Sequence, residues 1–216
     1  MRAPPRALVF DWDNTLVDSW ETIHHALVVT MAAMGHEPWS LDETKARVRH
    51  SLRDAFPRLF GERWAEARKL YIDTFTAVHL ERLKPFAGAD ELLRTLVERG
   101  FYLAVVSNKT GPVLRREAAH FGWTGYFGRL VGSGDAAMDK PSAAPVELAL
   151  EGSGIVCGDA VWYVGDTAID MECAANAGCV GVLLGALDQE DAGFARFPPA
   201  LQFPACEALA RHLGGL

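Results

Sequence analysis

Residues 6–15, RALVFDWDNT, contain the first predicted strand and the acidic residues that follow it. The run RALVFD over 6–11 is typical of a short buried strand that ends in an acid. Residues 12–17 then predict a turn. Because Asp13 follows Asp11 so closely, two carboxylates stand at the carboxyl end of the first predicted strand.

Downstream of Pro85, short apolar runs alternate with segments of helical periodicity. The predicted strands are 101–106, 129–132, 160–165 and 179–184. The predicted helices are 89–99, 112–121, 143–151 and 168–177. Continuous apolar strands that alternate with helices predict a parallel sheet with helices on both faces, an α/β doubly wound fold.

This alternation is interrupted directly after the first strand by a segment that is predicted to be all helical. Its helices are predicted from Asp18 to a stop at Gly35, then over 42–50 and over 62–83. The simplest organisation is an α/β core of 1–17 and 85–216 with a helical insertion of 18–84.

The composition predicts a soluble globular protein and argues against nucleic acid as a partner. Half of the 216 residues are hydrophobic and 23% are charged, which is ordinary for a folded domain. The net charge is −7, which disfavours binding to a polyanion through bulk charge. The insertion 18–84 holds ten basic and ten acidic residues, so the acidic excess belongs to the core.

The sequence also indicates a cytoplasmic location. No stretch reaches the roughly 20 apolar residues of a membrane span, and the apolar run in MRAPPRALVF is too short for a signal peptide. The cysteines lack CxxC spacing and are expected to be reduced thiols: Cys157, Cys173, Cys179 and Cys206.

Polar side chains follow several predicted strands and are expected to meet at one sheet edge. Ser107-Asn108-Lys109 follows strand 101–106, Asp166 follows strand 160–165, and Asp170 comes four residues later. Ligands of open α/β sheets bind beyond the carboxyl ends of the strands. Acids crowded there need a cation, and all-oxygen ligation favours Mg²⁺, which readily accepts a phosphate oxygen. The sequence therefore predicts a phosphate ester as substrate, with Lys140 as a further cation.

Four segments, in this order, resemble the motifs of the haloacid dehalogenase superfamily: DWDNTLVDS from Asp11, SNK from Ser107, DKP around Lys140 and GDTAID over 165–170. The chain looks most like the phosphoglycolate-phosphatase-like members, and the insertion resembles their helical C1-type cap. The resemblance implies a Rossmann-like core and a phosphatase that uses Mg²⁺ and an aspartyl-phosphate.

The resemblance also implies roles for individual residues. Asp11 would be the nucleophile and a Mg²⁺ ligand, and Asp13 the general acid and base, with its backbone carbonyl on the metal. Asp166 would be a further ligand. Lys140 and Ser107 would act as catalytic residues that hold and stabilise the phosphoryl group.

Supporting roles follow for the neighbours of these residues. Trp12 and the backbone N–H of Asn108 would contribute to phosphate binding. Thr15 would hold the loop and position Asp13, and Asp170 would orient a metal-bound water or Lys140. Position 14 is Asn where the family usually has Gly, and Asn tolerates left-handed backbone geometry.

Several alternatives stay open. Ser107 also suits a helix N-cap, and Asp166 and Asp170 suit first-turn acids that interact with a helix dipole. The segment 45–49 suits either a solvated helix face or a site for a substrate carboxylate. A phosphomutase would share all four motifs, so the sequence does not separate it from a phosphatase. A dehalogenase would not need Asp13, so the presence of Asp13 argues against that activity. A phosphate-sensing or partner-binding module would use the same residues without catalysing a reaction. Either a monomer or a homodimer is compatible with the sequence.

Overall fold

The computed structural model describes residues 4–48, 50–187 and 191–215. The chain divides into two compact units, one formed by Met1–Val17 with Pro85–Leu216 and the other by Asp18–Lys84. The strands are β1 (Ala7–Phe10), β2 (Val17–Asp18), β3 (Lys84–Pro85), β4 (Tyr102–Thr110), β5 (Arg129–Ser133), β6 (Val161–Gly165), β7 (Val180–Leu184) and β8 (Leu201–Phe203). The short strands β2 and β3 pair with each other where the chain passes between the units.

Helices make up most of the remaining regular structure. They are α1 (Trp20–Ala33), α2 (Leu41–Arg47), α3 (Leu52–Phe60), α4 (Trp64–Arg82), α5 (Ala89–Glu98), α6 (Gly111–His120), α7 (Ala144–Leu150), α8 (Ala168–Asn176), α9 (Ala192–Arg196) and α10 (Cys206–Gly214). Short 3₁₀ turns cover Gly61–Arg63 and Thr124–Tyr126.

The first unit contains a six-stranded sheet with the order β5-β4-β1-β6-β7-β8, and all of its strand pairs are parallel. Ala7 and Val9 of β1 pack with residues of α7 and α8, including Val146 and Cys173. Alternate residues of a strand point to opposite faces, so the buried residues between them, such as Leu8, face the other side. A sheet buried on both faces confirms the predicted doubly wound α/β fold.

The order of the strands explains which strand ends meet. β1 lies between β4 and β6, and Phe10 is opposite Val105 and Val164. The chain continues from β4 to one side of β1 and from β6 to the other, so β1 stands at the topological switch point. Asp11, the residue after β1, therefore begins the crevice in which ligands of such sheets bind.

The second unit contains α1 to α4. Gly35 has a φ of +80° just beyond α1, where the sequence predicts the helix to stop. Helix α2 ends at Arg47, whose guanidinium pairs with Glu43 at 3.1 Å and lies over the Trp39 ring. These exposed contacts favour the solvated-face interpretation of segment 45–49, of which Arg49 lies outside the described residues.

Helix α3 is absent from the sequence prediction, which has a single helix over 62–83. Pro57 lies inside α3, where it lacks the backbone N–H that a helix interior uses, so the sequence disfavours a helix there. The helix is nevertheless amphipathic, and Phe56 stacks edge-on against Tyr71 of α4 at 5.6 Å. This aromatic packing outweighs the local cost of the proline.

Among the described residues, no helix combines the length and apolar character that a membrane crossing would require. The four cysteines, all of them described, are free thiols.

Candidate active site

Two neighbouring strands, a helix and a loop bring acidic and basic side chains together at one edge of the sheet. Asp11 follows β1, Asp166 follows β6, and Asp170 lies in the first turn of α8. One carboxylate oxygen from each of these three residues lies within 4.8 Å of the others. Lys140, from the loop before α7, reaches the same place: its Nζ lies 2.8 Å from Asp11 Oδ1 and 2.8 Å from Asp170 Oδ1.

Lys140 is held on its backbone as well as through its side chain. It is 3% exposed, and its backbone N–H donates to Asn108 Oδ1 at 3.1 Å. Burial alone would lower the pKa of Lys140, but Asp11 and Asp170 more than offset this effect, so its pKa is raised. Lys140 is therefore a fixed, permanently charged cation beside Asp11.

The acids at this edge repel one another. The pKa of Asp11 is raised to about 7, mainly by burial and also by the charge of Asp170, and against the lowering effect of Lys140. Burial, with the charges of Asp170 and Asp11, raises the pKa of Asp166 well above its usual value. Such shifts mean that ionised carboxylates lack sufficient positive charge nearby, which is the environment that a divalent cation with oxygen ligands stabilises.

Asp170 has both of its carboxylate oxygens engaged. Oδ1 pairs with Lys140, and Oδ2 accepts hydrogen bonds from the backbone N–H and the hydroxyl of Thr167, at 3.0 and 2.7 Å. Thr167 and Asp170 form a capping box at the start of α8. Asp170 is thus both a helix-capping acid and a partner of Lys140. Its interpretation as a first-turn helix acid is therefore compatible with its interpretation as the residue that orients Lys140.

Gly165 allows Asp170 to approach the end of β6. A Cβ at Gly165 would overlap the Asp170 carboxyl group, and the glycine is buried. We expect Gly165→Ala to lower the free energy of unfolding by about 1–3 kcal/mol, because overpacking must displace Asp170 and with it Lys140.

Urea denaturation measures this change, and Gly181→Ala in the adjacent strand β7 is the matched control. A Cβ at Gly181 would meet the flexible Met171 side chain, with its sulfur at 3.0 Å, so its effect should be clearly smaller. Equal stability of Gly165→Ala and the unsubstituted protein would show that Asp170 does not need this space.

Thr15 and Asn14 shape the loop after β1. The Thr15 hydroxyl donates to Asp166 Oδ1 at 2.9 Å, so its described contact is with Asp166. The role toward Asp13 that the resemblance implied stays a prediction. Asn14 has a φ of +62°, in the left-handed region that asparagine tolerates and most side chains do not. The turn predicted at this position therefore accommodates Asn in place of Gly.

Ser107 and Asn108 lie within β4, near an irregularity in its pairing with β5. The Ser107 hydroxyl accepts the backbone N–H of Lys109 at 3.2 Å and keeps its own proton as a donor. Ser107 is not a helix N-cap, since α6 begins at Gly111 with Thr110 as its cap. The buried Asn108 Nδ2 has no hydrogen-bond partner among the described residues, which leaves an amide donor for an anion.

Trp12 does not offer its side chain to a phosphate. The ring is fully buried against three aromatic residues, Phe121, Trp123 and Phe127. Its indole N–H donates to Glu117 Oε2 at 2.7 Å. The phosphate-binding role predicted for Trp12 stays a prediction, and it would have to fall to the backbone N–H because the side chain is buried.

Two charged residues near Asp13 have no role in the sequence prediction. Lys109 Nζ lies 2.6 Å from Asp13 Oδ1 and 2.7 Å from Glu117 Oε2. Burial lowers the pKa of Lys109, but the two carboxylates outweigh this and raise it, so Lys109 stays charged. The sequence feature that could have indicated this ion pair is Glu117, an acid on the buried face of α6 beside Leu114 and Ala118.

Known proteins resemble this chain over most of its length. Residues 8–183 match the family of haloacid dehalogenase-like hydrolases. A phosphoglycolate phosphatase of Aquifex aeolicus is 32% identical over 177 residues, which cover 80% of this chain and 81% of that protein. The pyrophosphatase PpaX of Halalkalibacterium halodurans is 29% identical over 178 residues, 82% of each chain.

A solved structure extends the similarity to the whole chain. A crystal structure of a haloacid dehalogenase superfamily hydrolase from Ehrlichia chaffeensis is 31% identical, with a TM-score of 0.67 over 100% of this chain and 98% of that one. The match of family, sequence and fold covers β1 and the strand ends that carry Asp11, Ser107 and Asp166. This chain therefore belongs to the haloacid dehalogenase-like hydrolase family.

Proposed function

We propose that the protein is a Mg²⁺-dependent phosphatase that hydrolyses a small organic phosphomonoester through an aspartyl-phosphate. The observation that carries the proposal is the 2.8 Å pairing of Lys140 Nζ with Asp11 Oδ1, next to Asp166 and Asp170. A buried carboxylate beside a fixed cation suits nucleophilic attack on a phosphoryl group whose charge the cation stabilises.

The first chemical step is transfer of the phosphoryl group to Asp11. A carboxylate oxygen of Asp11 forms a bond to phosphorus while the bond from phosphorus to the ester oxygen breaks. The electron pair of that bond stays on the ester oxygen, which takes a proton from the Asp13 carboxyl group. Lys140, Ser107 and the backbone N–H groups of Trp12 and Asn108 hold the phosphoryl oxygens during the transfer.

The second step returns the enzyme to its starting state. Asp13, now a carboxylate, takes a proton from water as the water oxygen forms a bond to phosphorus. The bond between phosphorus and Asp11 breaks, and its electron pair returns to the Asp11 carboxylate. Inorganic phosphate and the alcohol are the products, and Asp13 again carries a proton.

The residues present fit a bound Mg²⁺. The donor set is all oxygen, with Asp11, Asp166 and the backbone carbonyl of Asp13 as proposed ligands, and the raised pKa values of Asp11 and Asp166 report a need for positive charge. When bound, Mg²⁺ neutralises negative charge on the phosphoryl group and on the attacking carboxylate.

The substrate is proposed to be phosphoglycolate-like or a sugar phosphate. The phosphoglycolate phosphatase of Aquifex aeolicus supports the first class, and the pyrophosphatase PpaX makes inorganic pyrophosphate, which is not an organic ester, a third candidate. We also propose that the unit Asp18–Lys84 is the family's cap and contributes substrate selection, and that the protein works in the cytoplasm as a monomer or homodimer.

A substrate panel tests the proposal. We expect phosphate release from at least one of phosphoglycolate, sugar phosphates and pyrophosphate in the presence of Mg²⁺, and loss of that release with a chelator. Conversion of a hexose 1-phosphate into the 6-phosphate without free phosphate would instead establish a phosphomutase. Absence of turnover across the panel would favour a phosphate-sensing or partner-binding module.

A further inference from the structure

A buried chain of hydrogen bonds leads from the aromatic core to Asp13. The Trp12 indole N–H and Lys109 Nζ both donate to Glu117 Oε2, each at 2.7 Å, and Lys109 also donates to Asp13 Oδ1 at 2.6 Å. The Lys109 side chain is 5% exposed and that of Glu117 is fully buried, whereas that of Asp13 is 19% exposed. The chain of contacts therefore begins in the protein interior and ends at Asp13, the more accessible of its two carboxylates.

Burial fixes the position of Lys109. Taking Lys109 or Glu117 away from its partner would leave an uncompensated charge in the interior, which is strongly unfavourable. Glu117 is in turn held by Trp12, whose ring is wedged among three other aromatic rings. Lys109 thus reaches Asp13 from an anchored position and not as a freely rotating surface lysine.

The placement of these charges bears on proton transfer. A carboxyl group has two oxygens, and Lys109 engages Oδ1 of Asp13. A hydrogen bond to that oxygen fixes the plane and rotation of the group and leaves Oδ2 to exchange a proton. General acid and base catalysis depends on such positioning, because the transfer requires hydrogen-bond geometry with the reacting oxygen.

We propose that Lys109 and Glu117 are positioning residues for Asp13: Glu117 holds Lys109, and Lys109 holds the Asp13 carboxyl group in the orientation that delivers a proton to the leaving group. The inference rests on the proposed function, since it concerns Asp13 as the acid and base of that reaction. Neither residue touches the substrate in this assignment, and neither is a metal ligand.

Leaving groups distinguish this role from a general structural one. An alkoxide leaving group requires a proton from Asp13, whereas p-nitrophenolate departs without one. The parameter kcat/KM reports steps up to the first irreversible one, here departure of the leaving group, so hydrolysis of the common aspartyl-phosphate does not affect it. Loss of Asp13 positioning should therefore lower kcat/KM for alkyl phosphates far more than for p-nitrophenyl phosphate.

The experiment compares Lys109→Met, Lys109→Arg and Glu117→Gln on p-nitrophenyl phosphate and on the best alkyl phosphate of the panel. We expect Lys109→Met to lower kcat/KM about 100-fold for the alkyl phosphate and by less than about fivefold for p-nitrophenyl phosphate. Glu117→Gln should lower the ratio of kcat/KM for the alkyl phosphate to kcat/KM for p-nitrophenyl phosphate by about tenfold. Lys109→Arg should lower this ratio less than Lys109→Met does, because arginine keeps a positive charge at this position.

Arg115→Gln is the matched control. It removes a charge from the same helix, α6, where Arg115 pairs with Asp135 at 2.6 Å and lies outside the chain of contacts that ends at Asp13. Arg115→Gln should leave the ratio of kcat/KM for the alkyl phosphate to kcat/KM for p-nitrophenyl phosphate unchanged. Circular dichroism and urea denaturation establish folding for each variant, and Glu117→Gln and Lys109→Arg carry the test should Lys109→Met fail to fold.

The outcomes separate the inference from the proposed function. An equal fall of kcat/KM for both substrates, or no fall for either, overturns the positioning role while phosphatase activity stands. A rise in KM for both substrates with little change in kcat would show instead that Lys109 binds the substrate phosphate. Absence of Mg²⁺-dependent hydrolysis of either substrate by the unsubstituted protein would overturn the proposed function itself.

Discussion

Replacing Asp11 with asparagine is expected to lower kcat for phosphate release by about 10⁴-fold or more, because the amide cannot form the aspartyl-phosphate. The structure gives this residue no substitute: Asp166 and Asp170 are held by Thr15, Lys140 and Thr167. Phosphate release under Mg²⁺ with the best substrate of the panel measures the effect. Asp11→Ala should be equally inactive.

The stability of Asp11→Asn should change in the opposite direction. The pKa of Asp11 is about 7 in the folded protein and its ordinary value is 3.8, so its ionised form is disfavoured by folding. At about pH 8 and without metal, the neutral amide should therefore be at least as resistant to urea as the carboxylate.

Asp159→Asn serves as the control for both measurements. Asp159 precedes β6, so it lies at the amino-terminal edge of the sheet, opposite the strand ends that carry the site. Its substitution should change kcat by less than about twofold. Full activity of Asp11→Asn, or loss of activity only through unfolding, would contradict the assignment of Asp11 as nucleophile.

The sheet and most of the candidate site were predictable from local patterns. Residues 7–10 form a run of apolar side chains that is typical of a strand buried on both faces, and Asp11 follows it directly. The rule that ligands bind at the carboxyl ends of parallel strands then associates Asp11 with Ser107 and Asp166, although 155 positions separate the first from the last. The structure brings these residues to one edge, together with Lys140.

What sequence patterns missed are interactions that depend on tertiary placement. Lys109 and Glu117 are eight residues apart and belong to a strand and a helix, so no periodicity pairs them with each other or with Asp13. The Thr15 hydroxyl similarly donates a hydrogen bond to Asp166, which is distant in sequence, although Asp13 is much nearer along the chain. The partner of each of these side chains depends on how the strands and helices are placed in the folded protein, and not on spacing along the chain.

Three of the elements that the prediction missed are short or locally unfavourable, whereas the nine-residue helix α10 is neither. Strand β8 has three residues and α9 has five, too few to show a period. Helix α3 contains Pro57, and its aromatic contacts with α4 help to compensate for that residue. In these segments the local sequence preference is weak, and packing against distant residues decides the structure.

Withdrawal of Mg²⁺ is expected to reduce phosphate release about 10³-fold or more, and the affinity for Mg²⁺ should fall as the pH is lowered. The second expectation follows from Asp11, whose pKa of about 7 means that the metal-free carboxyl group holds a proton below that pH. Asp166, whose pKa is also raised, acts in the same direction. Metal binding must displace such protons, so each displaced proton weakens binding about tenfold per pH unit below the pKa.

The sign of this linkage can be measured by thermal unfolding without any activity assay. For a group whose folded pKa is raised from 3.8 to about 7, the contribution to stability decreases as the pH rises through that interval. Mg²⁺ binds the ionised form and reverses the loss, so it should raise the Tm more at about pH 8 than at about pH 5.5. Asp11→Asn should lose most of that difference and Asp159→Asn should retain it. An equal Mg²⁺-induced rise in Tm at both pH values would contradict binding at these carboxylates, because no other described cluster of three potential metal-binding side chains would account for the linkage.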